Sequence, residues 1–223
     1  MKHSWEVTPA EAIALQKELR AQIIQHPPAG FAPQTAAGAD VSMNRDSDTG
    51  YAGIVVLNRV NMQTVEEASA TVKLGFPYIP GLLSFRELPA LIPAWELLAE
   101  KPDVIIFDGA GYAHPRRFGL ACHGGLLWDI PSIGCAKTRL IGTYTALGQK
   151  RGDTAELWDN EEVIGMVVRL RDAANPLFVS AGHLMDLSTA VEIVLSMGVG
   201  FREPETTRHA HRLVNQLRLQ SET

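Results

Sequence analysis

Cysteine is scarce in this sequence, and the two present, Cys122 and Cys135, are too few and too widely spaced for a zinc site or a disulfide framework. They read as small buried hydrophobes. Long hydrophobic runs are lacking as well. The longest are short stretches such as Val104-Ile105-Ile106-Phe107, which cannot span a bilayer, so no membrane partner is expected. After Met-Lys-His-Ser-Trp-Glu the N-terminus turns amphipathic without the apolar core of a secretory leader, and a cytoplasmic location is expected. Positive charge is in short supply: 20 Lys and Arg against 25 Asp and Glu leave a net charge of −5. That speaks against binding nucleic acid through bulk electrostatics, because phosphate neutralisation needs clustered cations. The cations present are bunched, however, at Arg116-Arg117, at Lys137-Thr138-Arg139 and from Arg202 to Arg218, while acids gather at 153–162. A locally basic face therefore stays open on an acidic chain.

What remains is ordinary globular material, 46% hydrophobic and 20% charged over 223 residues, with no repeat and no long linker. One domain spanning 1–223 is the simplest account, with an N-terminal helix over 8–25 and a core over about 35–220. Thr8-Pro9-Ala10-Glu11 combines an N-cap, a proline at the first helical position and a capping-box Glu, and Leu15, Leu19 and Ile23 follow as a stripe. Strands are expected at Ala37–Ser42, Ala52–Leu57 and Val65–Leu74, separated by turns at Asn44–Gly50 and Asn58–Gln63, which makes an antiparallel meander. The pattern then alternates. A helical stripe covers Leu88 to Ala99, with Pro89 confining its start and Pro93 bending or splitting it. A buried strand is expected at Val104–Phe107, a helix over Pro115–Leu127 and strands at Ser132–Ala136 and Leu177–Ser180. Helices over Leu187–Met197 and Glu205–Leu219 complete the order. Residues 142–163 give no readable pattern.

Two acids sit in or beside apolar strands, Asp40 and Asp108. A carboxylate there is costly unless it is paired or binds a cation. Each also has a plain alternative: Asp108-Gly109 scans as an Asx turn at a strand end, Asp40 as the cap of the next turn, and Ser84-Phe85-Arg86-Glu87 as a capping box. The element order is similar to that of the RNase H fold, an α/β architecture with a central mixed sheet of five or more strands flanked by helices. In that fold the first and fourth strands are neighbours at the sheet centre, which would set Asp40 beside Asp108. Clustered oxygen ligands with few nitrogens favour magnesium or manganese over zinc.

Six segments, in order, resemble the endonuclease V family. They are Gly38-Ala39-Asp40-Val41-Ser42; Pro77 to Glu87, reading Pro-Tyr-Ile-Pro-Gly-Leu-Leu-Ser-Phe-Arg-Glu; Asp108-Gly109-Ala110-Gly111-Tyr112-Ala113-His114-Pro115-Arg116-Arg117-Phe118-Gly119; Gly134 to Leu140 around Lys137; Ser180-Ala181-Gly182-His183; and Thr207-Arg208-His209-Ala210-His211. Ala110 departs from a His often found between the two glycines. Pro204-Glu205-Thr206-Thr207-Arg208 departs from the usual Pro-Glu-Pro-Thr-Arg.

The resemblance implies a DNA repair endonuclease that hydrolyses the phosphodiester one nucleotide 3′ to deoxyinosine, leaving 3′-hydroxyl and 5′-phosphate ends. It implies Mg2+, with Mn2+ able to substitute, held by Asp40 and Asp108, with Glu87 completing the site directly or through water. His211 would orient water or ligate a second ion, and Lys137 would reach the scissile phosphate. Tyr78, in a loop stiffened by Pro77 and Pro80, would wedge into the gap left by the displaced base. Gly81, Gly109 and Gly111 would bring backbone amides to the hypoxanthine, and His114 would serve beside them. Taken singly, Tyr78 is also a core tyrosine, Lys137 a solvated lysine and the glycines ordinary turn residues. Arg116, Arg117 and Arg139 read equally as phosphate contacts or solvated surface. The partner is DNA containing deoxyinosine, with inosine in RNA left open and no obligate protein partner implied. Another RNase H-like metal-dependent nuclease, or a non-catalytic nucleic-acid-binding module, are the competing readings. The roles of His183, His209 and the two cysteines stay open.

Overall fold

The computed structural model describes residues 3–44 and 47–221. The chain opens on α1 (Pro9–Leu19), where Thr8 and Glu11 form the reciprocal capping box that the sequence specifies. The helix ends earlier than expected. It tightens into a 3-10 turn at Arg20–Gln22, and the chain leaves extended at Ile23. The next amide, Ile24 N–H, then donates to His183 Nδ1 at 3.3 Å rather than continuing a helical ladder.

Three antiparallel strands follow as the meander, β1 (Thr35–Met43), β2 (Thr49–Asn58) and β3 (Thr64–Lys73). Of the turn expected at Asn44–Gly50, residues 45–46 lie outside the described residues. Next come α2 (Leu83–Leu97), β4 (Val104–Phe107), α3 (Leu120–Trp128) and β5 (Ser132–Ala136). The hairpin β6 (Thr154–Asp159) and β7 (Glu162–Val168) precedes β8 (Leu177–Ala181), α4 (Leu187–Ser196) and α5 (Glu205–Gln220).

The eight strands form one mixed sheet in the order β3-β2-β1-β4-β5-β8-β7-β6, with β1 parallel to β4 and β4 parallel to β5. The continuous apolar run of β4 follows from burial on both faces. Ile105 and Phe107 join Leu88, Leu91 and Trp95 of α2 on one side, and Val104 and Ile106 join Val194 of α4 and Ala210 of α5 on the other. Among the described residues no helix is long and apolar enough to cross a membrane.

Two helices depart from the sequence reading. Pro89 and Pro93 neither delay nor split α2, which starts at Leu83 and runs unbroken through both. The prolines stand one turn apart in partly exposed positions, while Phe85, Leu88, Leu91, Ala94 and Trp95 are buried. Burying such side chains is worth roughly 1.5–3 kcal/mol each, which outweighs about 3 kcal/mol for each interior proline. The second departure is α3, which starts at Leu120 and not at Pro115. Residues 108–119 instead form a fixed loop whose amides bond elsewhere: Tyr112 N–H donates to Ala181 O at 2.7 Å and Gly119 N–H to Gly111 O at 3.0 Å.

Candidate active site

The register Ala39↔Phe107 sets the next residues of the two parallel strands, Asp40 and Asp108, side by side at the sheet centre. Gly38, two residues before Asp40, lies under the first turn of α5. A Cβ there would stand 2.2 Å from Thr206 O, so only glycine allows the helix this close. That approach carries His211 to β1, where its Nδ1 donates to Asp40 Oδ2 at 2.8 Å. Asn215 Nδ2 donates to the other ring nitrogen at 2.9 Å, and Ser42 Oγ in turn donates to Asn215 Oδ1 at 3.2 Å. The Asp40 hydrogen bond is the main cause of a raised His211 pKa.

Glu87 reaches the same cleft from α2. The capping box read for Ser84 and Glu87 is not formed, because the helix has already begun at Leu83 and the Ser84 hydroxyl pairs with His123 Nδ1 at 2.9 Å. Burial, then Asp40 and then Asp108 push the Glu87 carboxyl well above the ordinary range, with only Arg86 opposing. Asp108 is also raised, first by burial, although Lys137 counters this with Nζ at 2.6 Å from Oδ2. Lys137 is held protonated by Asp108 and by Glu203, whose Oε2 is 3.0 Å away, despite its burial.

The cleft measures about 340 Å³, and Asp40, Glu87, Asp108 and Lys137 share its lining with Tyr78, Gly81, Gly109 and His114. Gly111 is turned away: its amide donates to Ser180 Oγ, and it packs against the Ala181 carbonyl of β8. Tyr78 is 68% exposed at the mouth, which removes its reading as a core tyrosine. The loop that bears it is pinned at Gly81, where φ is +80°. The Gly81 carbonyl accepts from Gln16 Nε2 at 3.0 Å, His114 Nε2 at 2.9 Å and Arg116 Nη2 at 2.7 Å. Arg117 is turned inward onto Asp159 and Glu162, both at 2.8 Å, and Arg139 lies over the Tyr144 ring. Cys122 and Cys135 are buried thiols, as the sequence suggests.

Sequence reasoning missed Gln16, Asn215 and Glu203. Gln16 is almost fully buried within the α1 stripe, and a polar residue on a packed face was the available signal. Asn215 lies four residues beyond His211, one helical turn away, so its spacing was also a signal. Glu203 stands in a loop and carried none.

His114 gives a pH prediction. Its Nε2 bonds the Gly81 carbonyl while Nδ1 accepts from the Arg116 amide at 3.1 Å, which fixes the neutral tautomer. Burial lowers its pKa to about 4. The unfolded chain therefore takes up a proton near 6.5 that the folded one refuses until about 4, and the stabilisation present above 6.5 is lost as pH falls through this window. Urea unfolding at pH 7 and pH 5 should give a stability drop about 2 kcal/mol smaller in His114→Asn than in the parent. Equal drops in both proteins would refute the assignment.

Three carboxyl groups on one cleft suit a hard divalent cation, which would relieve the mutual repulsion seen at Glu87. Among the described residues no three His, Cys, Asp or Glu side chains already converge as a preformed cage. Asp108 is turned to Lys137 and Asp40 to His211, and Asp40, Glu87 and Asp108 are the groups that could hold the ion.

A central parallel pair with adjacent aspartates, inside a mixed sheet covered by helices, places the chain among proteins of RNase H-like fold. The model of the family described as Endonuclease V matches residues 17–212. Endonuclease V of Myxococcus xanthus is 58% identical over 214 residues, covering 96% of this chain and 91% of the relative. The crystal structure of endonuclease V from Streptomyces avermitilis superposes with a TM-score of 0.92 at 38% identity, covering 100% of this chain and 98% of that one. That of Ciona intestinalis endonuclease V, in complex with a 23mer DNA containing an inosine followed by a ribo-adenosine, gives a TM-score of 0.85 at 28% identity, covering 97% and 100%. The chain belongs to the endonuclease V family.

Proposed function

We propose that this protein hydrolyses the phosphodiester one nucleotide to the 3′ side of deoxyinosine in DNA, leaving 3′-hydroxyl and 5′-phosphate ends and so opening the repair of deaminated adenine. The observation that carries this reading is the meeting of Asp40 and Asp108 on neighbouring parallel strands, in a cleft that also holds Glu87 and Lys137 and is overlooked by Tyr78. The Ciona intestinalis relative, bound to inosine-containing DNA, supports the choice of lesion.

Asp40 and Asp108 would hold Mg2+, or Mn2+ in its place, with Glu87 completing the site. When bound, the ion would supply Lewis-acid stabilisation of the charge developing on the phosphate oxygens and make an attacking water easier to deprotonate. Lys137 brings a fixed positive charge to the phosphate. His211, oriented by Asp40 and Asn215, places an imidazole where it can position water. Tyr78 fills the stack vacated by the extruded base, and Gly81 and Gly109 let backbone approach its edge. Neutral His114 and Arg116 hold the Gly81 carbonyl, and with it the lip of the base pocket.

Product mapping on an end-labelled duplex with a single inosine, with and without EDTA, tests lesion dependence, metal need and cut position together. One metal-dependent cut at the second phosphodiester 3′ to inosine, absent from the undamaged duplex, is expected. Equal cutting of both duplexes would overturn the lesion assignment, and cutting in EDTA the metal.

A further inference from the structure

Lys137 is gripped at both ends by two consecutive residues. Arg202 Nη2 donates to the Lys137 carbonyl at 2.9 Å, and Glu203 Oε2 takes the ammonium at 3.0 Å. The Arg202 guanidinium is itself anchored, with Nε donating to Asn175 O at 3.1 Å just ahead of β8. Glu203 immediately precedes Pro204, the N-cap of α5, and the helix beyond carries His211. The pair therefore joins the end of β5, the start of β8 and the root of α5 at one point.

The second partner of the ammonium, Asp108 Oδ2 at 2.6 Å, cannot serve in all states. A cation held by Asp108 competes with Lys137 for the same oxygens and repels its charge. A lysine with no other anchor, on a flexible four-carbon stem, would then swing out of the cleft. Glu203 forms its ion pair with Lys137 and, unlike Asp40, Glu87 and Asp108, does not line the cleft.

We propose that Glu203 is a positioning residue that keeps the Lys137 ammonium in the cleft when a cation takes over Asp108, while Arg202 fixes the Lys137 backbone. This rests on the reading given above, in which Lys137 meets the phosphate.

The test compares Glu203→Gln and Glu203→Asp in the full-length chain. A charge-assisted hydrogen bond of this kind predicts a fall in kcat of roughly tenfold to a hundredfold for Glu203→Gln. KM, and affinity for an inosine duplex in EDTA, should stay within about twofold, and Glu203→Asp should recover part of the loss. In a Lys137→Ala background the same Gln substitution should change kcat less than about twofold, because there is no ammonium left to place. Independently of turnover, with magnesium added in the absence of DNA the Lys137 ammonium should give an NMR signal, protected from solvent exchange, that Glu203→Gln loses, whereas without metal Asp108 still holds the ammonium in both proteins. An unchanged kcat, an undiminished effect without Lys137, or a persistent ammonium signal would each overturn the proposal. If the parent fails to cut inosine duplexes, the functional reading fails, and the NMR comparison still decides whether Glu203 holds the lysine.

Discussion

On the function proposed above, Asp40→Asn and Asp108→Asn should each lower kcat on an inosine duplex by roughly a thousandfold or more at saturating magnesium, since several kcal/mol of transition-state stabilisation would depend on the ion they hold. The substitutions are nearly isosteric and leave every backbone group in place, with Asp40 inside β1 and Asp108 just past β4, so the sheet register that pairs Ala39 with Phe107 should survive. A separate readout follows from linkage. A cation that binds only the folded protein raises its melting temperature with concentration, and either Asn variant should lose most of that rise. Asp108→Asn also removes the negative charge 2.6 Å from the Lys137 ammonium, whereas Asp40→Asn leaves that ion pair intact. Similar losses in both would point to the cation and not to the lysine. A variant that keeps near-parental turnover with magnesium would remove these carboxylates from the chemistry.

Tyr78→Ala should weaken binding to inosine DNA by roughly fivefold to 150-fold, which corresponds to about 1–3 kcal/mol for one lost base–aromatic stack. The ring is 68% exposed, so its removal should cost the fold less than about 0.5 kcal/mol. Tyr78→Phe keeps the stacking face and should bind nearly as the parent does. The undamaged duplex should respond less to Tyr78→Ala, because no base has left the stack. Undiminished affinity of Tyr78→Ala for the inosine duplex would exclude the wedge.

Much of this architecture was legible because one physical signal dominated each segment. Val104–Phe107 reads as a strand packed on both faces, and Thr8 with Glu11 reads as a helix start. The proline rule misled at Pro89 and Pro93 because the apolar face of α2 outweighs two missing hydrogen bonds. Pro115 suggested a helix start, but residues 108–119 spend their amides on a loop that shapes the cleft. The stretch 142–163 holds β6 and the first residues of β7, which continues to Val168. Its alternation is present, with Ala155 and Leu157 buried between exposed Glu156 and Trp158, but Asn160 turns the chain at φ +57° without the usual glycine. The adjacency of Asp40 and Asp108 is a different matter. It depends on strand order, which periodicity does not encode, and it came from the resemblance to the RNase H arrangement. Glu203 was invisible because its partner lies 66 positions away, at Lys137.

The contact between Asp40 and His211 joins residues 171 positions apart. Contacts this distant in the chain form slowly, so docking of the C-terminal helix over Gly38 should fall among the late events of folding, which pulsed hydrogen exchange would show as late protection of α5. A nascent or partly collapsed chain can pair its meander and still lack the imidazole beside Asp40. On the function proposed above, competence to nick inosine DNA would then be withheld until this helix has docked, so that incomplete copies would leave DNA uncut.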